Sequence, residues 1–186
     1  MVTLPNWVPT PNQLGVQPIL NTNAANPSQY QTGQSPSFGQ EHPLGTIIQA
    51  YDTSTLALGQ AEFIYLRQTS SDAVGSAVVY DVLNATTTLA PNTANLAEPL
   101  AFSPVANTAT GYGWFQISGV VQAKKINTAP VSKSAAVYLS ATAGSITGVA
   151  ANGKQILNAR SVASAASAAS YVDVLVQRPF AQGQTT

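Results

Sequence analysis

Hydrophobic and polar positions change rhythm at Leu44. Before it, apolar side chains stand singly or in pairs (Leu4, Trp7, Val8, Leu14, Val16, Ile19, Leu20, Tyr30, Phe38) and follow neither a strand nor a helix period. After it, short runs of strand formers recur. "LGTIIQAYD" (44–52) is one. "QAEFIYLRQ" (60–68) sets Ala61, Phe63, Tyr65 and Arg67 against Glu62, Ile64 and Leu66. "VGSAVVYDVL" (74–83) reads as a strand paired with "TTTLA" (86–90), and "EPLAFSPVA" (98–106), with its two prolines, as an edge or bulged strand. "GYGWFQISGVVQAKK" (111–125) is the longest candidate; "AAVYLSATAGSI" (135–146), "KQILNARSV" (154–162) and "YVDVLVQRPF" (171–180) complete the set. Asn152-Gly153, between two runs, predicts a hairpin turn. The tract "ASAASAAS" (163–170), flanked by strands, reads as a loop. Short strands at this spacing predict an all-β fold: an antiparallel barrel or sandwich of jelly-roll or β-tulip-like form. The predicted parts are an extended N-terminal arm (1–43), a β-rich body (44–180) and a flexible tail (181–186).

The arm holds Pro5, Pro9, Pro11, Pro18, Pro27, Pro36 and Pro43, and its first charged residue is Glu41. Proline fixes φ and removes an amide donor, which rules out a helix or a central strand there. Forty extended residues span up to ~130 Å at ~3.3 Å each, whereas a body of this size has a radius of gyration of only about 14 Å. Scattered apolar side chains are too few to offset the entropy of ordering such a segment alone. It is expected to be pinned by its own body, a neighbouring copy or a larger lattice. Trp7, Tyr30 and Phe38 are its expected anchors.

Charge sharpens this picture. Only 8% of residues are charged and the net charge is zero, against roughly 25% charged in an average soluble protein. Nucleic acid demands a basic footprint to displace counterions, and a partner found by electrostatic steering needs a charged field; neither is expected here. The polar surface must come from Ser, Thr, Asn and Gln, with little repulsion to keep copies apart. Such a surface is suited to being covered. The chain has no cysteine, so it has no disulfide framework or thiolate metal site. "MVTLPNWVPTPNQ" lacks the basic and apolar regions of an export signal. No apolar run approaches the ~20 residues of a membrane helix, and no membrane partner is expected.

Candidate chemistry is thin. "GVAANGKQ" (148–155) satisfies the first seven positions of a phosphate-binding loop, but Gln155 stands where Ser or Thr should bind magnesium. The run after it also reads as a strand, not the helix whose N-terminus receives phosphate. His42 is the only histidine, so a two-histidine zinc motif is impossible; it is expected to be solvated or interfacial. The segment 33–37 fails the nucleophile elbow for want of the final glycine. Asp52, Asp72 and Asp81 are isolated in sequence, and ion pairs with Arg67, Arg160 or Arg178 are their expected fate. No catalytic residue, metal or cofactor is expected. In "GYGWFQISGVV" one face carries Phe115, Ile117 and Val121, a core row, and the other Tyr112, Trp114, Gln116 and Ser118. Trp114 then has two readings: a lid on the core's edge, or an aromatic anchor in a subunit contact. A sugar-binding platform would use the same ring.

The pattern Leu44–Thr46, Glu62–Leu66, Gly113–Phe115 and Arg178–Phe180 resembles that of tailed-phage capsid decoration, or structural cement, proteins: an early LGT strand, an EFIYL strand, a GW-aromatic central strand and a closing RPF. The likeness spans about residues 44–180 and leaves the arm outside it. It implies a β-rich, non-enzymatic body, multimeric and often trimeric, made in the host cytoplasm and seated on the outer capsid surface. The implied partners are the major capsid protein and other copies of the chain. Tyr112 and Trp114 are the expected body-side contacts, with Trp7, Tyr30 and Phe38 on the arm. The competing expectation is a receptor- or carbohydrate-binding component of a phage tail or fibre.

Overall fold

The computed structural model describes residues 5, 7–9, 40 and 42–183. These form eleven strands and, among the described residues, no helix: β1 (Trp7–Pro9), β2 (Ile47–Asp52), β3 (Gln60–Gln68), β4 (Ala77–Asp81), β5 (Thr86–Leu89), β6 (Leu100–Phe102), β7 (Tyr112–Lys124), β8 (Ala136–Leu139), β9 (Ile146–Thr147), β10 (Gln155–Ser161) and β11 (Tyr171–Ala181). They join in the order β1-β2-β3-β5-β4-β6-β7-β11-β10-β8-β9, and β3 also pairs with β7. That extra ladder closes β3, β5, β4, β6 and β7 into a small barrel. β1–β2 extends from it on one side and β11-β10-β8-β9 on the other. All pairings between strands are antiparallel except β3–β5, where Arg67 and Gln68 lie beside Thr86 and Thr87 in parallel.

Three cores follow from alternation. Ile64 and Leu66 of β3, Val78 of β4, Ala101 of β6 and Phe115 and Ile117 of β7 fill the barrel. The opposite face of β3, with Ala61, Phe63 and Tyr65, joins Trp114, Ile48, Ala50 and Trp7 in a second, aromatic cluster. Val121 and Ala123 of β7, with Val172, Val174 and Val176 of β11, face Leu100, Phe102, Val137, Leu139 and Ile156 in a third, aliphatic one. β7 belongs to all three because it changes partner midway. Its first half pairs with β3 and its second with β11, and Ser118 lies opposite both Glu62 and Gln177. Gly119 makes the transfer at φ +94, where an added Cβ would stand 2.5 Å from the Gln60 carbonyl oxygen. Only a residue without a side chain tolerates both conditions.

Several sequence expectations need correction. Trp7–Pro9 belongs to the body's sheet, with Val8 opposite Tyr51 and Pro9 opposite Ala50. Proline is tolerated there because β1 is an edge strand. The 98–106 strand is not an edge: β6 lies between β4 and β7, and Pro99 and Pro104 bracket it instead of interrupting it. Asn152-Gly153 does turn, with Gly153 at φ +72, but it closes no hairpin, because β8 sits between β9 and β10. The body runs past residue 180: Ala181 is buried in the aliphatic core and its amide donates to Glu98. The 163–170 segment is a loop, and the segment after "GVAANGK" enters strand β10, not a helix. Tyr30, Phe38 and the rest of residues 10–39 lie outside the described residues.

Candidate interaction surface

The aromatic cluster gathers Trp7, Tyr112 and Trp114, three of the five residues that the sequence marked for contact. Trp7 meets Phe63 edge-on at 5.2 Å between ring centroids. Trp114 lies 5.0 Å from Tyr65, and Tyr112 stacks on Tyr65 at 6.2 Å. His42 closes the group, 5.1 Å from Tyr65 and 5.2 Å from Trp114. Trp7 and Trp114 are each 2% exposed. Neither has surface left for a partner, so their expected role as interface anchors is corrected: they anchor the chain to itself. The cause is the covering of β7 on both faces, which turns its alternate row into core. A stacking platform for sugar at Trp114 is excluded by the same burial. Tyr112 is half-buried and is the one body-side candidate that keeps an accessible edge. His42 is half-buried and packed against rings, and its Nε2, like Trp114 Nε1, is buried with no hydrogen-bond partner among the described residues. Orphaned donors of this kind cost about 1–3 kcal/mol, so this cluster is held by ring packing.

Both ends of the ion-free N-terminal region reach this cluster. Trp7 enters through β1. At the other end, beyond His42, the Gly45 amide donates to the Tyr65 carbonyl at 2.8 Å and Tyr65 donates back to Thr46 at 2.9 Å.

Among the described residues the three aspartates do not converge, and each accepts hydrogen bonds within or between loops. Asp52 organises its own loop, accepting from the Ser54 amide and hydroxyl and the Leu58 amide. Asp81 caps the turn that follows it. Asp72 ties two loops together, accepting from Gln68 Nε2 and Ser103 Oγ at 2.5 Å each and from the amide and Nδ2 of Asn107 at 3.0 and 3.2 Å. Burial pushes its carboxyl up to about 6, against the pull of those donors. Short acceptors serve loops better than ion pairs in a chain with few cations. The described ion pair joins Arg178 to Glu62 at 3.4 Å on the surface.

Lys125 is a functional-looking residue that sequence reasoning missed. The residue is 3% exposed, and its ammonium donates to the carbonyls of Ile126, Ser167 and Ala169 at 2.7, 3.0 and 2.7 Å. All three protons are used, so it fixes the 163–170 loop and offers nothing to a ligand. Next to it opens a cleft of about 490 Å³ whose lining includes Lys124, Asn127, Thr128, Thr142, Ser145 and Tyr171. A shallower one of about 260 Å³ is lined by Asn158, Ala159, Arg160, Leu175 and Gln177. Both linings are rich in neutral polar groups, suited to hydrogen bonding, and neither contains a carboxylate.

Exposed apolar side chains lie elsewhere. Ile47 and Tyr51 face outward on β2, Leu157 and Phe180 pair across β10 and β11, and Val82 and Leu83 project at the β4–β5 tip. The sequence placed Val82 and Leu83 inside a strand; β4 ends at Asp81. The overlooked signal was Asp81 three residues before Asn84, a turn-initiating arrangement. The chain matches no protein-family model, and comparison with curated proteins finds no significant relative.

Proposed function

We propose that the chain is a non-enzymatic capsid decoration, or cement, protein of a bacteriophage. It sits as a homotrimer on the outer surface of the head and bridges neighbouring major capsid protein subunits. One observation carries this reading: the ion-free N-terminal region is clasped to the body at both ends, through Trp7 and through the His42–Thr46 segment, on one aromatic cluster. A neutral segment of thirty residues held at both ends reaches at most about 50 Å from its base, at ~3.3 Å per residue. Clasping restricts the free ends before any partner is met and so lowers the entropy that binding must offset. Contacts from such a segment and a body of 8% charged residues are apolar and hydrogen-bonded, as glue between neutral surfaces requires.

The test uses heads of the encoding phage prepared without this protein. The purified chain is added and the bound amount measured by sedimentation, together with resistance of the heads to heat. Binding, raised heat resistance and a weak response to salt are expected, since few charges take part. Absence of binding, or release at moderate salt, overturns the reading. Removing residues 1–40 would also strip Trp7 from the body, so the informative variant replaces 11–39 with a Gly/Ser linker. It is expected to keep the fold and lose most head binding.

The cleft beside Lys125 favours a second reading, a carbohydrate-binding tail or fibre component, because its hydroxyls, amide and Tyr171 suit a sugar. Glycan-array binding lost on Tyr171→Ala would support it.

A further inference from the structure

The cleft beside Lys125 is built from chain segments that are hydrogen-bonded to one another. Lys124 ends β7 and stands opposite Tyr171, which opens β11. The turn before β9 supplies Thr142 and Ser145, and the Ser145 amide donates to the Thr142 carbonyl at 3.1 Å. The backbone after β7 ties these parts together. The Lys125 amide donates to the Ser170 carbonyl at 2.9 Å, and the Ile126 amide to the Ile146 carbonyl at 3.0 Å. The walls are therefore in place before a ligand arrives, which lowers the ordering cost of binding. Ser145 lines the cleft although it is only 3% exposed, and no described hydrogen bond uses its hydroxyl. A hydroxyl removed from bulk water and left unpaired costs free energy, which a polar group of a ligand recovers.

The cleft also has a sign. Lys124 forms no ion pair among the described residues. Lys125 stands beside it, its three protons taken by backbone carbonyls that favour the charged form. The lining contains no carboxylate, and Asp173, two residues along β11 from Tyr171, lies outside it. Two ammonium groups with no carboxylate facing them, in a chain of zero net charge, give this cleft a positive local field. We infer that the cleft binds a carboxylated sugar. Lys124 receives the carboxylate, Ser145, Thr142 and Asn127 bond the ring hydroxyls, and Tyr171 covers the apolar face of the ring. The inference rests on the second reading above, that the cleft takes carbohydrate, and adds to it the charge of the ligand. It does not depend on the capsid reading.

The experiment titrates the full-length chain, by ligand-observed NMR, with the methyl glycosides of glucuronic, galacturonic and N-acetylneuraminic acids. The methyl glycosides of glucose and galactose serve as neutral counterparts, and inorganic sulfate as a bare anion. At least one acidic glycoside is expected to bind about tenfold or more tighter than the neutral ones, from one charge-assisted hydrogen bond. Lys124→Gln should remove that difference with an unchanged unfolding temperature, and Ser145→Ala should weaken acidic and neutral glycosides alike. Equal binding of the two classes, or an acid preference that survives Lys124→Gln, overturns this inference and leaves the carbohydrate reading standing. Sulfate that binds as tightly as the acidic glycosides marks a simple anion site and overturns the assignment to a sugar. Absence of binding by every glycoside overturns the carbohydrate reading and the inference with it.

Discussion

Trp114 and Leu83 both lie in runs that the sequence reads as strands, yet their fates are opposite. Trp114 is the larger and the more typical interface residue, and it is buried between Tyr65 and His42. Leu83 is an ordinary aliphatic residue, and it stands almost fully in solvent. What separates them is the number of covered faces. β7 runs through a closed barrel with sheet on both sides, so each parity of its side chains finds a core. The β4–β5 turn has a hydrogen-bonded frame of its own, which sends Ala85 into the core and leaves Val82 and Leu83 in solvent. Residue type alone therefore misassigns exposure in a fold where central strands are covered twice.

The largest expected effect tests the buried member of the pair. Trp114→Ala should destabilise the body by about 3–5 kcal/mol through the cavity it leaves, read as a fall in the denaturant midpoint. Head binding by the folded fraction should barely change; a binding loss without a stability loss would reverse the comparison. Next comes the transfer point of β7. Gly119→Ala should cost about 2–3 kcal/mol, since the new methyl meets the Gln60 carbonyl at a φ unfavourable to any side chain.

A smaller effect is expected from Asp72. Its carboxyl is raised from 3.8 to about 6 in the folded chain, so the folded state binds the proton more tightly than the unfolded state. The stabilisation is fully present below about pH 4 and is lost as pH rises through 6. Relative to Asp72→Asn, the wild-type chain should lose on the order of 1–2 kcal/mol between pH 4 and 7, allowing for partial solvent screening. Urea titrations of both proteins across that range measure it, and equal slopes would show that Asp72 is not desolvated. The smallest stability effect belongs to Leu83→Asp, expected within about 0.5 kcal/mol of wild type because the side chain is 94% exposed.

Much of the fold was legible in the sequence. The alternation of 60–68 separates the barrel-facing Ile64 and Leu66 from the aromatic face of Phe63 and Tyr65, and Gly or Pro marks several strand ends, as Gly59 before β3 and Pro99 and Pro104 around β6. Pairing between distant strands was not legible. Nothing local announces that β8 slides between β9 and β10, that β5 runs parallel to β3, or that Trp7 returns to β2, because these choices are made by packing across the chain. The contact residues suffered for the same reason. Aromatic enrichment is a statistical mark of interfaces and equally of cores, and only the count of covered faces tells them apart.

On the proposed reading, the most direct measurement is the copy number of this chain in purified phage particles, by quantitative mass spectrometry against the major capsid protein. A cement protein that bridges shell subunits over the whole head is expected in numbers comparable with the shell protein itself. A content limited to a few copies per particle, as a tail or fibre component would give, contradicts the account.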